Sequence, residues 1–398
     1  MMKSIMKYIS AVVLAVMMTA GLPSCVYDFI REDVVTDKEN ITLLILLGIL
    51  DGPTSRAEAP DIEQMHSIRV VLLDDGGTVE YNDKIVYNDP VIESEFMVIP
   101  TVKGEKKIFF IANEESVTLE GENGESLTEL IERFPKGSTG FEDAVNDAYF
   151  KLDPEKPLPM TSQYTFDAGN PGENNYTFYV VPAATKFTFN ITNKRVEESS
   201  TITKIAIEKL ADANYVMPHV GEQYRNWTND DGSIDRLYWI YWLKNVVDVT
   251  NQNQKVPGNY NTNQRLGWIL DYELPEHSVA PNDMFVGSQP VNGVPDNLGN
   301  EEPQYETVTF GPYYAPESKT LKNQSNVNGE QTYTLVLELT DGTKEERRLS
   351  RDLSFVTALF RNTHVVIDIT IEMGYMHIYG EIRSWRDNDV YGMLTEED

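Results

Sequence analysis

Five histidines, one cysteine and 63 acidic side chains are the most chemically versatile groups in this 398-residue chain. The histidines, His66, His219, His277, His364 and His377, form no H-E-x-x-H or other metal-ligand spacing. His364 and His377 fall on neighbouring strands around Gly374. If Ile371 pairs with Met376, His377 stands opposite Thr370 and away from His364, and both are ordinary strand residues. No G-x-S-x-G elbow, phosphate-binding loop or dinucleotide fingerprint occurs. Carboxylates are too numerous to single out a glycosidase dyad, because the deciding quantity is a distance in space. "TNDDGSID" (Thr228 to Asp235) lacks the ligand spacing and distal glutamate of an EF-hand and reads as a solvated hairpin turn. No catalytic residue, metal ligand or cofactor is assigned, and the chain is read as a non-enzyme. A secreted hydrolase has only the abundance of carboxylates behind it.

The single cysteine has a better-defined chemistry. Lys3 and Lys7 form a positive start, "ISAVVLAVMMTA" (Ile9 to Ala20) is an apolar stretch of signal-peptide length, and "LPSC" ends at Cys25. This resembles the lipobox of bacterial lipoproteins, in which the cysteine thiol is lipidated and becomes the new N-terminus. With no second cysteine, a disulfide framework is excluded. Two or more acyl chains, each buried CH₂ contributing about 0.8 kcal/mol, tether a protein stably to a membrane. The polar spacer "VYDFIREDVVTDKEN" (Val26 to Asn40) reaches about 50 Å when extended. The formal charge is −30, and −32 once Lys3 and Lys7 leave with the leader, which excludes nucleic acid as a partner.

Aromatic side chains offer a second kind of chemistry. In "YWIYW", strand alternation puts Tyr238, Ile240 and Trp242 on one face and Trp239 and Tyr241 on the other. Two readings stand: Tyr238 and Trp242 stack a sugar, as in a surface glycan-binding lipoprotein, or the strand is covered on both sides.

The elements that would position these residues are mostly strands. "HSIRVVLLDDGGTVEYND" alternates, turns at Asp75-Gly76-Gly77 and resumes. "SEFMVIP", "KKIFFIANEE" and "LPMTSQYTF" follow, then "NNYTFYVVPAATKFTFNITNK" and "STITKIAIEKL". "SLTELIERF" predicts a helix with Ser126 and Glu129 as a capping box, and "FEDAVNDAYF" a second short one. The Gly/Asn/Pro-rich stretch 167–175 marks a domain boundary. From Asn251 to about Thr307 the chain reads as long loops, and the end returns to strands, with "LTDGTK" a hairpin turn. The expected fold is mainly β, two β-sandwiches with few helices.

The greasiest stretch is "ITLLILLGIL", Ile41 to Leu50. It is too short for a transmembrane helix, which needs about 18 or more apolar residues. As a strand it turns Ile41, Leu43, Ile45 and Leu47 to one side. Leu44, Leu46 and Leu50 make the other side apolar too, so both faces are expected to be covered.

Several segments in order resemble the fimbrillins of Bacteroidales, the lipoprotein-derived subunits of type V pili. They are the lipobox at Cys25, the strand Ile41–Leu50, "TSRAEAP", "IRVVLLDDGGTV", "KKIFFIANEE", "LPMTS", "PAATKFTFNI", "FGPYYAPES", "FRNTHVVIDITI" and "GEIRSW" with Trp385. The resemblance implies transthyretin-like sandwiches: a signal peptide 1–24, a lipidated spacer and removable first strand 25–56, an N-terminal domain 57–175 completed by strand 41–50, and a C-terminal domain 176–398. It implies cleavage between Arg56 and Ala57, loss of the first strand and its replacement by a strand from a neighbouring subunit. Arg31 precedes the strand, so cleavage there would leave it in place. The implied partners are other fimbrial subunits, the outer membrane through lipid, and ligands on host or bacterial surfaces. Stalk, tip and lipid-retained anchor stay open, as does the donor: "VYGML" (Val390 to Leu394) or "YMHIYGEIRSW".

Overall fold

The computed structural model describes residues 39–50, 60–91, 94–120, 124–169, 175–195, 200–218, 227–228, 234–235, 281–295, 303–319, 333–340, 346–353, 358–359, 361–372, 375–385 and 390–394. The architecture is mainly β. The first half contributes β1 (Asn40–Ile49), β2 (Met65–Asp74), β3 (Val79–Val91), β4 (Ser94–Val102), β5 (Gly104–Ala112), β6 (Tyr149–Phe150), β7 (Met160–Ala168) and β8 (Asn175–Pro182). Seven of these form one sheet in the order β3-β2-β5-β7-β8-β1-β4. Strands β7 and β8 pair only at Met160 with Pro182 and Thr161 with Val181, so the sheet folds over at that corner. The two halves enclose a core. Ile68, Val70, Leu72, Ile108, Phe110 and Tyr164 come from one side, and Leu43, Ile45, Leu47, Met97, Ile99, Phe178 and Val180 from the other.

The predicted turn and helices are present. In the β2–β3 hairpin the Asp74 carboxylate accepts from the N–H groups of Gly76 and Thr78, and Gly77 takes φ 76°, a left-handed conformation that suits glycine. Helix α1 (Leu127–Glu132) carries the full capping box: the Ser126 hydroxyl accepts from the Glu129 N–H, and the Glu129 carboxylate accepts from the Ser126 N–H. Helix α2 (Phe141–Asn146) follows. Their apolar sides, Leu127, Ile131, Phe141 and Val145, cover the outer face of β2 and β5 at Val71, Leu73, Phe109 and Ile111.

The second half contributes β9 (Thr185–Asn193), β10 (Ser200–Glu208), β11 (Asn214–Tyr215), β12 (Trp227–Thr228), β13 (Ile234–Asp235), β14 (Pro281–Val291) and β15 (Thr307–Ala315). It continues with β16 (Ser318–Lys319), β17 (Thr334–Thr340), β18 (Glu346–Asp352), β19 (Ala358–Leu359), β20 (Thr363–Glu372), β21 (Tyr375–Ser384) and β22 (Val390–Leu394). A four-stranded sheet, β14-β10-β17-β18, packs against a five-stranded one, β15-β9-β20-β21-β22. Their shared core contains Phe187, Phe189, Ile205, Ile207, Leu335, Leu337, Ile367 and Ile369. Ile371 pairs with Met376 and Thr370 with His377, as the alternation predicts, while His364 stands opposite Arg383. Strands β12 and β13 pair as the hairpin expected for "TNDDGSID", and β17 and β18 as that expected for "LTDGTK".

Three sequence expectations are corrected. The boundary drawn at 175/176 falls just inside β8, after its first residue, yet β8 pairs with β1 and β7, so the chain leaves the first sheet only after Pro182. A polar loop had marked the boundary, but that loop joins two strands of one sandwich. The stretch read as loop from Asn251 to Thr307 contains the eleven-residue β14. Pro281, Gly287 and Pro290 mask its strand character; as an edge strand with two register shifts against β10 it tolerates them. Finally, β1 is not covered on both faces: Thr42 is exposed and Leu46 is 41% exposed.

Candidate assembly strand and its anchors

Strand β1 is an interior strand. It runs antiparallel to β4, from Asn40 opposite Val102 to Gly48 opposite Ser94, and parallel to β8, from Leu44 opposite Asn175 to Ile49 opposite Val180. Its end is fixed by the Leu50 N–H, which donates to the Val180 carbonyl at 2.9 Å. Leu43, Ile45 and Leu47 are fully buried, and Ile49 and Leu50 nearly so; Ile41 packs at the margin of the same core. These include all four side chains that alternation turned to one side of the strand. Burying the five most enclosed at about 1.5–3 kcal/mol each gives roughly 7–15 kcal/mol before ordering costs.

The floor beneath β1 is aromatic. Phe178 lies 4.6 Å from Tyr164 and 5.5 Å from Phe110, centroid to centroid. The Tyr164 hydroxyl crosses the sandwich, donating to the Tyr179 carbonyl at 2.6 Å and accepting the Tyr179 N–H at 3.1 Å. Tyr179 is the register partner of Gly48. The cross-link therefore braces β8 from behind, beside β1. On the outer face Leu46 pairs with Phe96 and Leu44 with Val98, and Phe96 and Val98 are more than half exposed. Strand β4 is the sheet edge.

Chain order matters as much as packing. Strand β1 is the first described element, and the next is the short 3-10 turn Asp61–Glu63. Here the first sandwich is fastened to the second. The Glu63 carboxylate, 1% exposed, accepts from Lys186 Nζ at 3.2 Å, the Tyr314 hydroxyl at 2.7 Å and Trp385 Nε1 at 3.1 Å. The Lys186 ammonium also lies 4.8 Å from the Trp385 ring centroid, and that ring stacks on Tyr314 at 5.9 Å. Nearby, Arg361 and Glu317, both fully buried, form a two-pronged pair at 2.9 and 2.6 Å. Arg361 also donates to Thr161 Oγ1 of β7, at 2.9 Å.

The sequence-predicted site residues divide accordingly. Ile41, Leu43, Ile45 and Leu47 are brought together on one strand. Cys25, Arg56, Ala57, Tyr238 and Trp242 lie outside the described residues. The Val390–Leu394 segment is β22, the edge of the five-stranded sheet, its backbone paired with β21. The anchors Glu63, Arg361 and Glu317 were missed by sequence reasoning. Of the three, only Arg361 carries a signal, a charged residue behind the apolar pair of "LFRNTH". Among the described histidines, His66 contacts the Asp61 carbonyl and His364 bonds Thr188, while His219 and His277 lie outside the described residues. Among the described residues no three His, Cys, Asp or Glu side chains are grouped to hold a metal, and no helix is long and apolar enough to cross a membrane.

No protein-family model matches the chain, and no curated protein matches it. Solved structures do. The chain is similar to the tip fimbrial protein Mfa3 from Porphyromonas gingivalis, with C-terminal truncation, at 12% identity and a TM-score of 0.44, over 87% of this chain and 100% of that one. It is similar to a fimbrilin (FimA) from the same organism at 12% identity and a TM-score of 0.44, over 89% and 99%. It is also similar to a fimbrial assembly protein from Parabacteroides distasonis at 11% identity and a TM-score of 0.42, over 90% and 100%. These neighbours are fimbrial proteins.

Proposed function

We propose that the chain is a structural subunit of a cell-surface fimbria whose first strand is a removable placeholder. It is exported as a lipoprotein on Cys25, held at the outer membrane, cut between Arg56 and Ala57, and joined to other subunits by exchange of β1 for a neighbour's strand. The observation that carries the proposal is that β1 lies between two strands, fills the core, and leads on to the rest of the sandwich only through residues 51–59. A single cut in that segment removes the covalent tie and leaves the non-covalent one.

The energetics then favour exchange over simple loss. At roughly 7–15 kcal/mol of gross burial, β1 does not leave for water at a useful rate. Its departure would open an apolar cleft and two rows of unpaired backbone groups on β4 and β8. A second strand of matching alternation restores both, which is β-strand addition. The anchors around Glu63 hold the chain downstream of the cut on the second sandwich, so the cleft keeps its shape while its occupant changes.

The test is direct. Full-length protein nicked after Arg56 and mixed at high concentration should form a ladder of oligomers. The Arg56→Gln variant, given the same protease, should stay monomeric. A nicked chain that keeps residues 40–50 and never oligomerises would overturn the proposal.

A further inference from the structure

A cavity of about 440 Å³ opens at the junction of the two sandwiches, away from β1. That is within the range of small-molecule sites. One wall is the stretch 151–158 of the first sandwich; the other is β14 and the end of β15. Pro154, Pro312 and Pro316 stand on the lining, so its backbone is stiff and the cavity is already formed.

The strand that supplies Tyr313 is built irregularly at this point. The register of β15 on β9 shifts between Phe310 and Tyr313. Gly311 sits there at φ +110°, and a Cβ on it would come within 2.8 Å of the Phe187 carbonyl oxygen. Only glycine fits, and bulges of this kind redirect the side chains that follow them.

The charges on the lining are largely cancelled. Asp283 is paired with Lys204 at 2.7 Å and Asp153 with Lys156 at 3.5 Å, and neither lysine is on the lining. Lys151 stands 3.6 Å from Glu120. Three polar groups on the lining have no hydrogen-bond partner among the described residues: the Asp212 carboxylate, the Asn282 amide and the Tyr313 hydroxyl. Tyr313 is half-buried, and burial raises its phenol above the ordinary value, so it stays a neutral donor. The set is one acceptor, one amide and one hydroxyl, set among an aromatic ring, prolines and Met284. Nothing in it grips a phosphate.

We propose that this cavity binds a neutral saccharide ring, with its hydroxyls on Asp212, Asn282 and Tyr313 and its C–H face on the tyrosyl and prolyl walls. The site joins residues of both sandwiches, so a bound sugar bridges them. It is separate from the Tyr238–Trp242 stretch.

Saturation-transfer NMR on the full chain tests it. The probes are methyl glycosides of glucose, galactose, mannose, N-acetylglucosamine and xylose at millimolar concentration, with glucuronate and lysine methyl ester as anionic and cationic controls. At least one neutral glycoside should receive saturation. Asp212→Asn and Tyr313→Phe should each weaken it tenfold or more with thermal unfolding unchanged. Asp212 is exposed, and Tyr313→Phe keeps the ring against Phe189, so both variants should fold. Transfer to none of the neutral sugars, transfer that survives both substitutions, or preferential binding of the cationic control would each overturn the proposal.

Discussion

At the scale of single residues, the buried charges between the sandwiches carry the sharpest predictions. Glu317 is the carboxylate that balances Arg361 in a fully buried setting. Removing one partner of such a pair costs about 3–5 kcal/mol, because the other keeps its desolvation penalty. Glu317→Ala should therefore lower the urea unfolding midpoint by an amount equivalent to that loss, and Glu63→Ala should do the same through Lys186. A surface pair gives a pH prediction instead. Burial pushes the Glu115 carboxyl up, but hydrogen bonds from Lys84 and Ser67 outweigh it and hold it below its ordinary value. A carboxyl depressed in the folded state contributes stability that is present above the unfolded value and is lost as pH falls through the folded one. Stability should thus decline on acidification below the ordinary carboxylate range, and Lys84→Met should flatten that decline in urea titrations run at stepped pH. None of these residues was legible in the sequence. Glu63 sits in "APDIEQMHS", where no period or motif distinguishes it, and its partners are supplied by β9, β15 and the residue after β21.

At the scale of elements, β1 was legible as a strand but not in its surroundings. An unbroken apolar run has no period of its own, so "ITLLILLGIL" predicts burial on both faces. The sheet instead leaves the side of Thr42 and Leu46 open to solvent at one end and closes around Gly48 to Leu50 at the other. This asymmetry gives a contrast that a two-sided strand would not show. Ile45→Ala should cost about 2–5 kcal/mol, the range for a large aliphatic removed from a core. Leu46→Thr, on the open face, should change stability by no more than about 0.5 kcal/mol. Chemical denaturation of both variants decides between the pictures. The capping box of α1 was fully legible, because Ser126 and Glu129 act within one turn of chain. Ser126→Ala should cost about 0.5–2 kcal/mol. Strand β14 was hidden for the opposite reason: its structure comes from pairing with β10, while its own Pro281, Gly287 and Pro290 argue against a strand.

At the scale of the molecule, the two-core plan followed from strand alternation alone, since apolar faces of period two must meet other such faces. What alternation did not reveal is how the cores are joined. The sequence marks a boundary at a polar loop, whereas the physical junction is a set of buried ion pairs and the Trp385 ring, made by residues distant in the chain. That junction gives the proposed exchange its meaning. A subunit that loses β1 loses part of one core, while the second sandwich and the anchors at Glu63 are left in place. N-terminal sequencing of the protein recovered from the assembled surface polymer tests whether β1 is a placeholder. If it is, the chain begins at Ala57 and residues 41–50 are gone. Recovery of polymer subunits still carrying Ile41–Leu50, or still lipidated at Cys25, would contradict it.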